Sequence, residues 1–329
     1  MAAAQSSKRR CTGESTSFCS TRDDLQTQLA ATGMAAAVFK ILGEPRGGRR
    51  AMHFLPKGDI LGCSSTCKIL CEWASHYVHT FKLNPDAEEI PRQDNGTIDA
   101  SAMAGRIAPR FSQLRSVCFR SSAENGVTIN AAVVTTLATH CSKLMNVDFR
   151  GTFDDDDSDD DDGNEFNRPQ ITDASVIALA NGCRNLTCVK LDYCVNITDA
   201  SIAHLVSHCS ALTDLSVVQC TKLTVATIDA MSQTCVDLNI LHFGFYDWEE
   251  EVGCESVTNA AISTLFLRCP KLTSVVFKGC VSLTAITLPD GVTTIGNSAF
   301  SGCSSLTVIT FPDGVTTIGG GAFQGCSSI

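Results

Sequence analysis

Residues 171–196 read ITDASVIALANGCRNLTCVKLDYCVN, and residues 197–222 read ITDASIAHLVSHCSALTDLSVVQCTK; the two align without a gap over 26 residues. Each unit carries two hydrophobic periods. In the first half, Val176, Leu179 and Ala180, then Ile202, Leu205 and Val206, fall at helical spacing. In the second half, Leu186, Val189 and Leu191, then Leu212, Leu215 and Val217, mark a short strand with one buried face. Asp173 and Asp199 stand ahead of the helical halves and are expected to cap them. Repetition at this period predicts a solenoid. Each unit supplies one strand and one helix, and neighbours bury each other's apolar faces.

Weaker copies flank this pair, starting at Thr97, Val127, Leu223 and Val257. Cys141, Cys183, Cys209, Cys235 and Cys269 each stand three residues ahead of a strand leucine, and Cys194, Cys220 and Cys280 end strands. A position repeated in every turn of a stack must be small and apolar, and a reduced cysteine fits. These units, over 97–282, resemble the cysteine-containing leucine-rich repeats of F-box/LRR proteins. The resemblance implies an α/β leucine-rich-repeat solenoid, or horseshoe, with strands on its concave face.

At Leu283 the period shortens to 23. LTAITLPDGVTTIGNSAFSGCSS (283–305) is followed by LTVITFPDGVTTIGGGAFQGCSS (306–328). Pro-Asp-Gly predicts a turn after the first strand of each unit, and Val292, Ile295, Ala299 and Phe300 are expected in the core. Residues 283–329 resemble BspA-type leucine-rich repeats, which are common in surface proteins of bacteria and protists. A solenoid needs a polar closing unit. None follows Ile329, so the repeats are expected to be truncated there.

Two units carry insertions. The loop 152–170 holds eight aspartates around Ser158. A run of like charge repels itself and favours a solvated loop, and its register does not fit a calcium-binding loop. A contact for a basic partner and a phosphorylation site at Ser158 remain as readings of it. The second insertion, 246–256, contains Tyr246 and Trp248. These are rigid aromatics of the kind that anchor interfaces; the alternative is aromatics packed on the adjacent turn. Strand phase directs Arg120, Asp148, Arg150, Lys190, Asp192, Asp214, His242 and Lys278 to the concave face, with Asn146 and Ser216 among them. Their mixed signs suit a protein partner better than a phosphate backbone.

The net charge of −10 argues against nucleic acid and anionic membranes as partners. No apolar run is long enough to span a bilayer, and the first twenty residues lack the apolar core of a signal peptide. The 18 cysteines are therefore expected to be reduced thiols of a cytoplasmic or nuclear chain. Motifs for phosphate loops, nucleophile elbows and zinc hydrolases are absent. The sequence predicts no enzyme, no cofactor and no metal site. His204 and His208, four apart on one helix, are expected to divide between surface and groove.

Residues 1–33 are polar and expected to be disordered. Within 34–85, PKGDILGCSSTCKILCEWAS (56–75) fits a helix started by Asp59, with Ile60, Cys63, Cys67, Leu70, Cys71 and Ala74 on one face. The outer cysteines of this set are separated by about 12 Å of helix rise, too far to share one zinc. FKIL (39–42) with 54–75 resembles the later part of an F-box, through Asp59, Ile60, Cys67, Lys68 and Trp73. The usual Leu-Pro start is absent, the connection between the helices is longer, and Trp73 falls three residues later than in the family. The resemblance implies a small helical module that docks on the adaptor of a cullin–RING ubiquitin ligase through Ile60, Cys67, Lys68 and Trp73. The repeats would then hold a protein substrate for degradation. Two other readings stand beside it: a leucine-rich-repeat scaffold without ligase association, and a BspA-like surface or adhesion protein.

Overall fold

A computed structural model describes residues 79–82, 98–109, 111–119, 127–151, 168–247 and 252–329. The chain divides into two units, Met1–Gly47 and Gly48–Ile329, and every described residue lies in the second. The expectations for 1–33, for Ile60, Cys67, Lys68 and Trp73, for the bulk of the acidic insertion, and for Arg120 and Trp248 fall outside the described residues.

The elements are β1 (Thr80–Lys82), β2 (Ile98–Asp99), α1 (Ala100–Ile107), β3 (Ser116–Cys118), β4 (Val127–Thr128), α2 (Ala131–His140) and β5 (Asn146–Asp148). Then come α3 (Asp173–Gly182), β6 (Cys188–Lys190), α4 (Asp199–His208), β7 (Asp214–Val218), α5 (Val225–Thr234) and β8 (Ile240–Gly244). After the hairpin of β9 (Tyr246–Asp247) and β10 (Val252–Gly253) follow α6 (Asn259–Arg268) and β11 (Ser274–Lys278). The C-terminal strands are β12 (Ala285–Thr287), β13 (Thr294–Ile295), β14 (Val308–Thr310) and β15 (Thr317–Ile318). One nine-stranded parallel sheet runs β1-β3-β5-β6-β7-β8-β11-β13-β15. Its first strand, Thr80–Lys82, lies inside the segment that the sequence assigns to the N-terminal module. No helix among the described residues is long and apolar enough to cross a membrane.

The core lies between the sheet and the helices. Val189, Leu215, Leu241 and Val275 share one register position of four successive strands and are at most 1% exposed. A second buried column holds Phe119, Phe149, Leu191, Val217, Phe243, Phe277 and Phe300. Its rings meet at each end of the stack: Phe119 and Phe149 have centroids 6.4 Å apart, and Phe277 and Phe300 6.5 Å. Leu191 and Val217 fill the same column in the middle units.

The helix ends differ from the sequence expectation. Asp173 and Asp199 do not cap their own helices. The N-cap positions are Thr172 and Thr198, in extended conformation, and each aspartate is the first helical residue. From there its carboxylate reaches the next unit. Asp173 accepts from Thr198 N (2.7 Å) and Oγ1 (2.8 Å), and Asp199 accepts from Thr224 N (2.9 Å) and Oγ1 (2.7 Å). Asn259 repeats the contact on Thr284 N at 2.9 Å. The N-cap hydroxyls thus donate across the stack, which links successive units through donors that a helix start leaves open. Burial works against the ionised form of Asp173, and the hydrogen bonds from Ser201 and Thr198 outweigh it, so its carboxyl stays below the usual range.

At the other end every helix from α2 to α6 closes on a cysteine. The thiols are buried as the sequence predicts, and they also hydrogen-bond. Cys183 Sγ donates to Cys141 O at 3.3 Å, Cys209 Sγ to Cys183 O at 3.7 Å, and Cys269 Sγ to Cys235 O at 3.2 Å. A second set, Cys220, Cys303 and Cys326, donates to Leu191 O, Phe277 O and Phe300 O at 3.1, 3.1 and 3.0 Å. Burial pushes the Cys183 and Cys269 thiols up to about 12, and those of Cys141 and Cys209 to about 11. No disulfide forms among the thirteen described cysteines.

In the 23-residue units a strand replaces the helix. β12 and β14 pair with each other outside the main sheet, while β13 and β15 extend it. Thr284, just ahead of β12, takes the position of the helix N-cap threonines through its bond to Asn259. The β-branched residues Thr284, Ile286 and Thr287, followed by Pro289 and Gly291, favour an extended chain over a helix. Val292 N donates to Pro289 O at 3.0 Å, closing the expected turn, and Val292, Ile295, Ala299 and Phe300 are fully buried.

Candidate functional site

The sheet face opposite the helices corresponds to the concave face expected from the sequence. Parallel register lines its residues into rows. One row runs Cys118, Asp148, Lys190, Ser216, His242 and Val276; another runs Ser116, Asn146, Cys188, Asp214, Ile240 and Ser274. A third follows with Val218, Gly244 and Lys278.

Polar side chains of the first rows form a network. Arg150 grips Asp148 with two parallel bonds, Nε to Oδ1 at 2.9 Å and Nη2 to Oδ2 at 3.0 Å. Its Nη1 lies 3.8 Å from Asp192 Oδ2. The bond to Asp148 outweighs burial and raises the Arg150 pKa further. Asp192 Oδ1 accepts from Ser216 Oγ at 2.6 Å and from Val218 N at 2.9 Å. Burial dominates there and holds the Asp192 carboxyl above the usual range. Asp214 Oδ2 accepts from Thr213 Oγ1 at 2.5 Å.

Strand phase places these residues on the expected side, with two differences. Asp192 and Ser216 are 8% and 2% exposed and serve as internal supports. Tyr246 is 9% exposed. Its ring packs on Gly302, where an added Cβ would lie 2.4 Å from Cδ2. Gln219 clasps its backbone, with Nε2 donating to Tyr246 O and Tyr246 N donating to Gln219 Oε1, both at 3.1 Å. The insertion is thereby pinned to the preceding unit, and Tyr246 is a buried strut rather than an exposed anchor. Sequence reasoning did not single out Cys118 and Cys188, which are half-buried on the open face. The signal was present, because both occupy outward phases of their strands.

His204 and His208 do not divide between surface and groove. Their rings stack at 3.9 Å between centroids, both partly exposed, with His204 Nε2 3.0 Å from Asn181 Oδ1. Among the described residues no three His, Cys, Asp or Glu side chains gather as metal ligands.

His242 carries a testable pH signature. Burial first, then the charges of Lys190 and Arg150, lower its pKa from 6.5 to about 4, with Asp214 acting in the opposite direction. Between these values the unfolded chain binds a proton that the folded chain does not. Stability therefore falls as the pH drops from about 6.5 to about 4, by at most roughly 3–4 kcal/mol. Asp192 acts with the opposite sign in the carboxylate range, because its folded pKa is raised. Denaturant titrations at a series of pH values should show His242→Asn flattening the slope in the histidine window. An unchanged slope would remove His242 as its source.

Comparison with known proteins follows this geometry. Residues 258–329 match the family described as BspA type Leucine rich repeat region, in six copies. No curated protein matches the chain. Among solved structures, the complex of Rad7 and Elc1 from yeast is similar at 14% identity, over 91% of this chain and 87% of that one, with a TM-score of 0.39. A leucine-rich cell surface protein of Faecalibacterium prausnitzii is similar at 17% identity, over 78% and 60%, with a TM-score of 0.23. A leucine-rich repeat protein of Bacteroides ovatus is similar at 14% identity, over 87% and 83%, with a TM-score of 0.18. The strand-and-helix units, their parallel sheet and the family match at 258–329 support a leucine-rich-repeat architecture, and residues 258–329 are similar to repeats of the BspA type.

Proposed function

We propose that this chain is a protein-recognition subunit: the open sheet face of its repeats holds a protein partner, and residues 34–85 dock on the adaptor of a cullin–RING ubiquitin ligase. The observation that carries the first half is the open face itself. It is a parallel sheet whose outward rows mix charged, hydroxyl and thiol groups without gathering a metal-binding cluster among the described residues. Such a surface positions a partner and makes no bonds of its own. The second half rests on the F-box resemblance of Asp59, Ile60, Cys67, Lys68 and Trp73, placed directly ahead of cysteine-containing repeats. The test is co-elution of the full chain with purified adaptor–cullin complex on a sizing column. The wild type is expected to co-elute, and Ile60→Glu with Trp73→Ala to elute alone. Separate elution of the wild type would reject the ligase reading and leave a binding scaffold.

The BspA-type match at 258–329 favours a second reading, a surface or adhesion protein. Reduced thiols in every described unit speak for a reducing compartment. Protease treatment of intact cells separates the two: loss of the chain would support display at the surface.

A further inference from the structure

We infer that the open face recognises an extended protein segment that places a carboxylate on Lys190 and a cationic or N–H donor group on Asp214. This rests on the open face being the binding surface. Most charges near these two residues are already engaged. Arg150 binds both oxygens of Asp148, and Asp192 is held by Ser216 and Val218. Lysines elsewhere find oxygens too: Lys143 on Gln113, Lys222 on Asn196 and Lys271 on Asp237. Lys190 differs. It is half-buried, and among the described residues no hydrogen bond or ion pair holds its ammonium. Asp214, also half-buried, takes Thr213 on Oδ2, and no described donor takes Oδ1.

A partly desolvated charge that is not fully satisfied is costly, and here two of opposite sign stand on adjacent strands without forming an ion pair with each other. Lys190 pairs with Ser216, and Asp214 pairs with Cys188, so the two charges lie on a diagonal. From the ~4.8 Å strand spacing and ~3.3 Å rise of a parallel sheet, this diagonal measures about 8 Å. An extended segment presents side chains i and i+2 on one face at about 6.6–6.8 Å. An acidic residue followed two positions later by a basic one spans the diagonal and satisfies both charges. The same arrangement disfavours a nucleic acid backbone, which has no cation for Asp214.

The test uses the full chain to select from a displayed random-peptide library. Selected peptides are expected to carry Asp or Glu two positions from Lys or Arg. Lys190→Glu and Asp214→Lys should each weaken a selected peptide about tenfold or more. The double variant should recover affinity for the peptide with its two charges exchanged. Lys271→Glu, away from this face, serves as the control. Asn146→Trp, on the exposed middle of the face, should abolish binding. Loss with Asn146→Trp but not with either charge reversal overturns the charge-pair inference and keeps the open-face reading. Binding indifferent to all three substitutions, or no selected peptide, overturns both.

Discussion

Replacing Phe277 with alanine is expected to lower the unfolding free energy by about 3–5 kcal/mol, the usual cost of removing a buried phenylalanine ring. Phe277 is fully buried in the column that runs through the stack. Its ring lies 5.9 Å from Phe266, edge-on, and 6.5 Å from Phe300. The first contact belongs to the last helix-bearing unit and the second to the first 23-residue unit. The two kinds of repeat therefore meet on this side chain. In a solenoid each unit contacts only its neighbours, so stability sums over unit interfaces. Loss of the ring should free the C-terminal units more than the rest. Hydrogen exchange is expected to accelerate in β13 and β15 while β3 and β5 keep their protection. A denaturation loss below about 1 kcal/mol would be incompatible with a ring held in the core at that junction.

Gly279→Ala is expected to destabilise by roughly 2–5 kcal/mol, combining left-handed backbone strain with overpacking. Gly279 has φ +64°, and a Cβ there would lie 1.8 Å from Phe245 O. The carbonyl belongs to the chain entering the insertion, and Gly279 N and O are themselves bonded to Ser301 and Cys254. None of these groups can yield without breaking the ladder between units. Tyr193 and Gln219 adopt the same left-handed conformation one residue before a buried cysteine, which shows that the bend recurs. Gly105→Ala is the matched control. Gly105 sits in α1 with nothing within 4 Å of the added atom, so alanine should be neutral or stabilising by up to about 1 kcal/mol. Equal thermal melts for the two variants would show that space and φ do not govern the outcome.

The repeat period, the helical and strand halves and the buried cysteine positions were legible because each recurs in successive units. What one position does between units was not. Asp173 looks like an N-cap by its place before a helical run, and only three-dimensional stacking turns its carboxylate onto Thr198. The C-cap cysteines read as small core residues, yet their thiols also find carbonyls of the preceding unit. The strand at Leu283 gives no local sign of its layer, because the same alternation serves the main sheet or the layer of the helices. On the open face, strand phase groups Lys190, Asp214 and His242, since side-chain direction alternates strictly. Phase says nothing of cover, which is why Asp192 and Ser216 were placed outside and are buried; for Tyr246 the structure shows the packing on a neighbouring turn that its insertion left open.

Thiol footprinting addresses the central claim, that the open sheet face is the binding surface. Of the described cysteines, Cys118 and Cys188 lie half-buried on that face, Cys326 is partly exposed in the last unit, and the other ten are buried. Brief alkylation of the full chain, read by mass spectrometry, is to be compared with and without a saturating peptide from the library. The account predicts slower labelling of Cys118 and Cys188 in the complex and an unchanged rate at Cys326. Slower labelling at Cys326, with Cys118 and Cys188 unaffected, would contradict it.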